Sequence, residues 1–152
     1  MRDNYWLSQR LSQIWEILFP ETPRPNKVIA KFKGKSMNKF GHIKLLKNKD
    51  TEIAINSLFK SSLVPEYIID LTLAHELVHY SHGFHSPLPR LHKHPHKGGI
   101  VDKELLRRGF GHLLKQEKDF VRNEWLLIYK KLNPNYKRRP ARISTLFRFF
   151  RI

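Results

Sequence analysis

A chain of 152 residues has the length of one compact domain with a short appendage. It contains no cysteine, which excludes disulfides, thiol nucleophiles and Cys-ligated zinc, so any metal must be held by His, Asp or Glu. Lys and Arg number 29 against 13 Asp and Glu, a formal charge of +16 at pH 7, and an excess of that size points to a polyanionic partner, nucleic acid first.

No apolar run approaches the roughly 18 residues that cross a bilayer, and the opening Met1-Arg2-Asp3-Asn4 lacks a signal-peptide layout. An intracellular, soluble protein without a membrane partner is expected. Leu7, Leu11, Ile14 and Leu18 recur at i, i+4, i+7 and i+11 with Trp15 beside them, and Pro20 stops the pattern, which predicts an amphipathic helix. After the connector from Pro20 to Pro25, Val28, Ala30 and Phe32 alternate with Ile29, Lys31 and Lys33, the period of a half-buried strand. Gly41 to Lys47 and Glu52 to Asn56 read as two more strands, with Ile43, Leu45, Ile53 and Ile55 inward and Asn48-Lys49-Asp50 as the turn. A small antiparallel sheet is expected.

Pro65 suits the first turn of a helix, and Pro65 to His82 carries Ile68, Ile69, Leu71, Leu73, Ala74, Leu77 and Val78, too many apolar positions for a surface helix. Gly83 should end it, and Pro87 and Pro89 keep the following stretch irregular. Ile100 to Arg108 reads as helix, Gly109-Phe110-Gly111 interrupts it, and Val121, Trp125, Ile128 and Leu132 mark a last core helix. The expectation is one α+β domain over residues 1–135, helices packed on a small sheet, and a basic, aromatic tail over residues 136–152.

Within the buried helix stands His75-Glu76-Leu77-Val78-His79, the H-E-x-x-H pattern. Four-residue spacing puts both imidazoles on one face, where they can share a tetrahedral Zn²⁺. Glu76, about 100° around the helix, is placed to serve as general base for a water activated by the metal, in hydrolysis of a peptide bond. Composition alone gives roughly 0.03 chance matches to this pattern, and two histidines and a glutamate in an apolar helix would be costly to bury without a shared partner.

A third ligand must come from elsewhere. His85 gives the H-E-x-x-H-x5-H spacing of metzincins, but Gly83 comes four residues after His79 where that pattern wants three, and Met1 and Met37 lie upstream of any Met-turn. His92, His94 and His96 follow a Pro-rich loop long enough to fold back, and His96 directly precedes Gly98-Gly99 and a helix. His96 is the first choice, with His94, His85 and the carboxylate of Glu104 as alternatives.

Glu52 to Ser57, the turn before Pro65-Glu66, Leu73-Ala74-His75-Glu76-Leu77-Val78-His79-Tyr80 and Pro95-His96-Lys97-Gly98-Gly99-Ile100 together resemble the SprT-like zinc metalloprotease family over roughly residues 7–110. The resemblance implies a zincin-like fold, a third ligand at His96, and action on proteins crosslinked to DNA. Lys97 stands where the family has Gly, and Ile100 where it has an aromatic. The chain is also similar to the YgjP-like metal-dependent hydrolases, whose motif would place the third ligand at His85-Ser86 instead. Lacking cysteine, the chain cannot carry the Cys-rich zinc ribbon of many SprT-like proteins.

The positive charge falls in two blocks. One holds Lys31, Lys33, Lys35, Lys39, Lys44, Lys47 and Lys49; the other, in the tail, holds Lys137, Arg138, Arg139, Arg142, Arg148 and Arg151 interleaved with Phe147, Phe149 and Phe150. Arg with Phe can hold phosphates and stack on unpaired bases, which suits single-stranded DNA. The expected function is therefore a zinc metalloprotease of DNA-associated proteins. The alternatives are a nucleic-acid-binding protein with a structural metal site and a metal-dependent hydrolase unrelated to DNA.

Overall fold

The computed structural model describes residues 1–137. Helix α1 (Asn4–Leu18) starts where the Asp3 carboxylate accepts from the Trp6 N–H at 2.8 Å, satisfying one of the amides that a first turn leaves open. It buries Leu7, Leu11, Ile14 and Trp15, as its spacing predicts.

Three strands follow, β1 (Val28–Phe32), β2 (Gly41–Leu45) and β3 (Thr51–Ile55), in the spatial order β1-β3-β2. Strands β2 and β3 form the expected antiparallel hairpin, its turn carrying Lys49 at φ 73. Strand β1, however, pairs with β3 in parallel, so the sheet is mixed and not antiparallel. All five residues of β3 are buried, so this strand needs a neighbour on each side. The hairpin supplies one, and the link from residue 33 to residue 40 carries the chain past β3 so that β1 supplies the other.

That link is pinned from two directions: the Asn56 amide donates to Ser36 O at 2.6 Å and Lys39 O at 3.0 Å, and the Trp125 indole donates to Met37 O at 2.8 Å. Leu45, expected inward, is exposed at the end of edge strand β2, whereas Ile43 is buried.

Helix α2 (Glu66–Ser81) buries every residue from Leu71 to Tyr80. It packs on α1, on β2 and β3, and on the later helix α3 (Ile100–Arg107), which explains why its apolar residues show no single stripe. Arg10 grips Asp70 with two bonds of 2.5 Å, tying α1 to its second turn.

After Gly109, at φ 96, α4 (Gly111–Phe120) and α5 (Leu126–Leu132) run on through a π-helical turn at Val121–Trp125. Of the expected stripe Trp125 is buried, while Val121, Ile128 and Leu132 are partly buried against the core; Phe120 and Tyr129 are the more deeply buried, because one wide turn adds a residue and shifts the inward face. Trp125 joins Phe40, Phe59 and Tyr129 in an edge-to-face cluster, with centroids 4.9 Å apart for Phe40 and Phe59 and 5.2 Å for Phe40 and Trp125. Among the described residues no helix is long and apolar enough to cross a membrane.

Candidate metal centre

Helical spacing sets the first two side chains. The Nε2 atoms of His75 and His79 lie 3.1 Å apart on α2, both rings buried. His96 Nε2 lies 3.3 Å from that of His75 and 2.9 Å from that of His79. Nitrogen ligands of a tetrahedral zinc at its usual bond length stand about 3.3 Å from one another, so the three donors already hold nearly that spacing.

His96 reaches this position because the loop carrying it is fixed at both ends. At its start Gly83, at φ 80, turns the chain out of α2, and its α-carbon faces the Pro89 carbonyl so closely that a Cβ would collide with it. Phe84 N–H donates to His79 O at 2.9 Å, Ser86 Oγ to Tyr80 O at 2.7 Å, and Leu91 N–H to His82 O at 3.0 Å. At its end Gly98 and Gly99 are both left-handed, at φ 75 and 67, a pair of conformations that side chains resist. They swing the chain from His96 directly into α3, which Val101 and Leu105 anchor in the core.

Burial holds the His75 imidazole far below its ordinary pKa, with His79 and His96 adding to the effect, and brings His79 down to about 3, His96 again contributing. His96 is lowered by burial alone. At neutral pH the three rings are therefore uncharged, the form that ligates. His79 Nδ1 is buried without a hydrogen-bond partner among the described residues. Three neutral imidazoles, two buried and one half-buried, meeting at their Nε2 atoms fit a shared cation, and the His75/His79/His96 cluster could hold a metal ion.

Glu76, also buried, has its carboxyl raised to about 8 by desolvation, with Lys39 opposing. Its Oε1 lies 3.3 Å from where a Cβ on Gly41 would sit, and Thr72 Cγ2 lies 2.7 Å from the same point. Any side chain at the start of β2 would thus collide with Thr72 and press on the carboxylate. Gly41 did not stand out in the sequence, and Lys39 stood there only as one of a block of lysines, because nothing local connects either to a residue 35 or more positions away.

The alternative ligands lie outside the cluster. His94 is exposed. His85 is exposed too, and its Nδ1 meets the Leu45 N–H at a long 3.5 Å. The Glu104 carboxylate is taken by Arg107 at 2.6 Å and Arg108 at 2.8 Å. His92 packs its ring on His82, centroids 4.6 Å apart. Of the expected nucleic-acid contacts, Lys137 is exposed at the last described position; Arg138, Arg139, Arg142, Arg148 and Arg151 lie outside the described residues.

Compared with protein-family models, with curated proteins and with solved structures, the chain matches none.

Proposed function

We propose that the protein is a zinc-dependent metallopeptidase with a zincin-like fold, resembling the SprT-like family, that acts on proteins bound or crosslinked to DNA. The observation that carries the reading is the convergence of three neutral imidazoles within 3.3 Å, with a buried carboxylate next to the first of them in sequence. An all-histidine donor set at tetrahedral spacing suits zinc, and three protein ligands leave a fourth position for reaction. Zinc so held supplies a Lewis acid that polarises a peptide carbonyl and acidifies water.

The chain's own groups do the rest. His75, His79 and His96 would hold and orient the ion, whose charge would favour the ionised form of the Glu76 carboxyl, and Glu76 so ionised would accept a proton from the attacking water and return it to the leaving amine. Edge strand β2 offers the substrate a place to lie. Phe40 O accepts from Asn56 N–H, and Leu46 N–H donates to Asp50 O, each at 2.8 Å. Antiparallel alternation then turns the backbone groups of Gly41 and Ile43 to the open edge, beside Glu76, where an extended peptide can pair.

Metal analysis of the purified chain, with casein or histone cleavage measured with and without DNA, tests the proposal. Zinc at one per chain and cleavage lost in Glu76→Gln are expected. Full activity in Glu76→Gln would sink the mechanism. The charge of +16 favours a second reading, a nucleic-acid-binding protein whose metal is structural. In that case zinc would be bound but no substrate cut.

A further inference from the structure

The sheet has two faces of opposite character. Val28, Ala30, Phe32, Ile43, Ile53 and Ile55 point to the helices and are buried, and Gly41 on that face meets Thr72 and Glu76 of α2. Strand alternation sends the intervening residues to the other face. There β1 presents Ile29 and Lys31, with Lys33 just past its end, β2 presents His42 and Lys44, and the central strand contributes only Glu52 and Ala54, the first in register with Ile29 and Lys44 and the second with Lys31 and His42.

Glu52 is the single carboxylate among these positions, and two lysines already share it, Lys33 at 2.9 Å and Lys31 at 3.5 Å. Lys44, opposite Glu52 in register, is exposed, and Lys33, Lys39 and Lys44 all act electrostatically on His42. Lys31, Lys33 and Lys44 therefore share one patch, and Lys39, just before β2 and acting on Glu76 as well as on His42, borders it.

We propose that this outer sheet face binds the phosphate backbone of duplex DNA through Lys31, Lys33, Lys39 and Lys44. The proposal rests on the DNA part of the function proposed above and is independent of peptide hydrolysis. Charge complementarity selects a polyanion, and the rest of the face selects the duplex. No Phe, Tyr or Trp stands on it among the strand residues and its one ring, the His42 imidazole, is half-buried, so unpaired bases find little to stack on, and single strands lose most of the contribution that usually favours them. A duplex, with one charge per about 1.7 Å of axis, offers the denser row of phosphates to lysines held about 7 Å apart along β1 and, with β3 between β1 and β2, about 10 Å apart across the sheet.

The position also has a functional consequence. Strand β2 carries His42 and Lys44 on the DNA side and Gly41 against Glu76 on the other. A protein attached to duplex lying on this face would be presented at the β2 edge, one strand away from the metal cluster.

The test measures binding of the full chain to a 20-base-pair duplex and to one of its strands, about 20 nucleotides long, over a range of salt concentrations. The wild type should bind the duplex with a slope of log K against log salt near −3.6 or steeper, from about −0.9 per phosphate contacted. Alanine at Lys31, Lys33, Lys39 and Lys44 together should flatten that slope by about 3 to 4 units and change single-strand binding less. Because Lys31 and Lys33 also pair with buried Glu52, the double variant Lys39→Ala/Lys44→Ala, which leaves those pairs intact, should flatten it by about 2. Metal content and thermal midpoint are read on each variant as controls of folding.

A steep wild-type slope unchanged in both variants overturns the proposal and moves the binding off this face. A wild type that binds no nucleic acid overturns the DNA part of the proposed function itself. Stronger lysine-dependent binding to vesicles of phosphatidylcholine and phosphatidylserine than to duplex would identify the face as a membrane contact and also overturn the proposal.

Discussion

Helix α2 and the loop from Gly83 to Gly99 contribute to the same cluster under opposite conditions. From Leu71 to Tyr80 the helix is buried on every side, and its own hydrogen bonds place His75 and His79 a turn apart. The loop is exposed at His85, at Pro87 and from Pro89 to His94, yet it delivers His96 to within 2.9 Å of His79. Two of the imidazoles are thus set by local geometry and the third by how the loop is tied down at its ends. A site built this way should respond differently to damage on its two sides.

The largest effects are expected on the helix. His75→Ala and His79→Ala should each abolish zinc binding, seen as metal content near zero after dialysis, whereas Glu76→Gln keeps the metal and loses hydrolysis. Retention of a full equivalent of zinc in either histidine variant would break the assignment. On the loop, His96→Ala should weaken zinc affinity by about 100-fold or more, since even groups that only support a ligand cost 10- to 100-fold. His85→Ala and His94→Ala should leave it within about twofold. If His85→Ala empties the site while His96→Ala does not, the YgjP-like arrangement is right.

A third substitution probes the tie between the two regions. Gly83→Ala puts a side chain at φ 80 and against the Pro89 carbonyl. The left-handed backbone alone costs about 1–2 kcal/mol, and each kcal/mol lowers the melting temperature by roughly 2–4 °C in a chain of this size. Zinc affinity should fall with it, because the loop start must move. Calorimetry and competition with a chelator measure both, and loss of stability with unchanged affinity would show that the Gly98-Gly99 end alone positions His96.

The smallest effect compares Glu76 with a carboxyl buried away from the histidines. Glu117 on α4 is raised to about 8, first by desolvation and then by Asp102, and its Oε2 has no hydrogen-bond partner among the described residues. Its folded-state pKa lies above the unfolded value, so folding takes up a proton between pH 4.5 and 8. The group's contribution to stability is greatest below 4.5, declines through that window and levels off above 8. The histidines titrate alike in the wild type and in Glu117→Gln, so the slope due to this group between pH 6.5 and 8 is read as the difference between the two chains. Glu117→Gln should remove it, a relative gain of about 1–2 kcal/mol at pH 8, measured by denaturant unfolding at several pH values. Glu76 contributes a slope of the same sign in the metal-free chain and remains in the variant as an internal comparison.

Much of the fold was legible because it depends on neighbours in sequence. The α1 stripe, the inward residues of β1, the β2–β3 turn, the limits of α2 and the break at Gly109 follow from periodicity and from residues that cap or stop an element. The misreadings share a cause. The parallel pairing of β1 with β3, the exposure of Leu45 and the π turn that substitutes Phe120 and Tyr129 for Val121 and Ile128 all depend on what packs against each element, which a local window does not contain. At the site, the pattern His75-Glu76-x-x-His79 was visible at once, while Gly41 gave no signal because what matters there is the close approach of α2, Thr72 first and Glu76 after it.

What the sequence determined alone, then, is what a single helix and the composition can specify: an apolar segment bearing two imidazoles on one face with a carboxylate between them, no thiol to compete for a metal, and an excess of positive charge. Only the tertiary structure decided which of the loop histidines completes the cluster and which lysines share a surface. Helical geometry repeats every 3.6 residues whatever surrounds it. The path of a loop, and the side of a sheet on which a side chain emerges, are fixed by contacts between residues far apart in the chain.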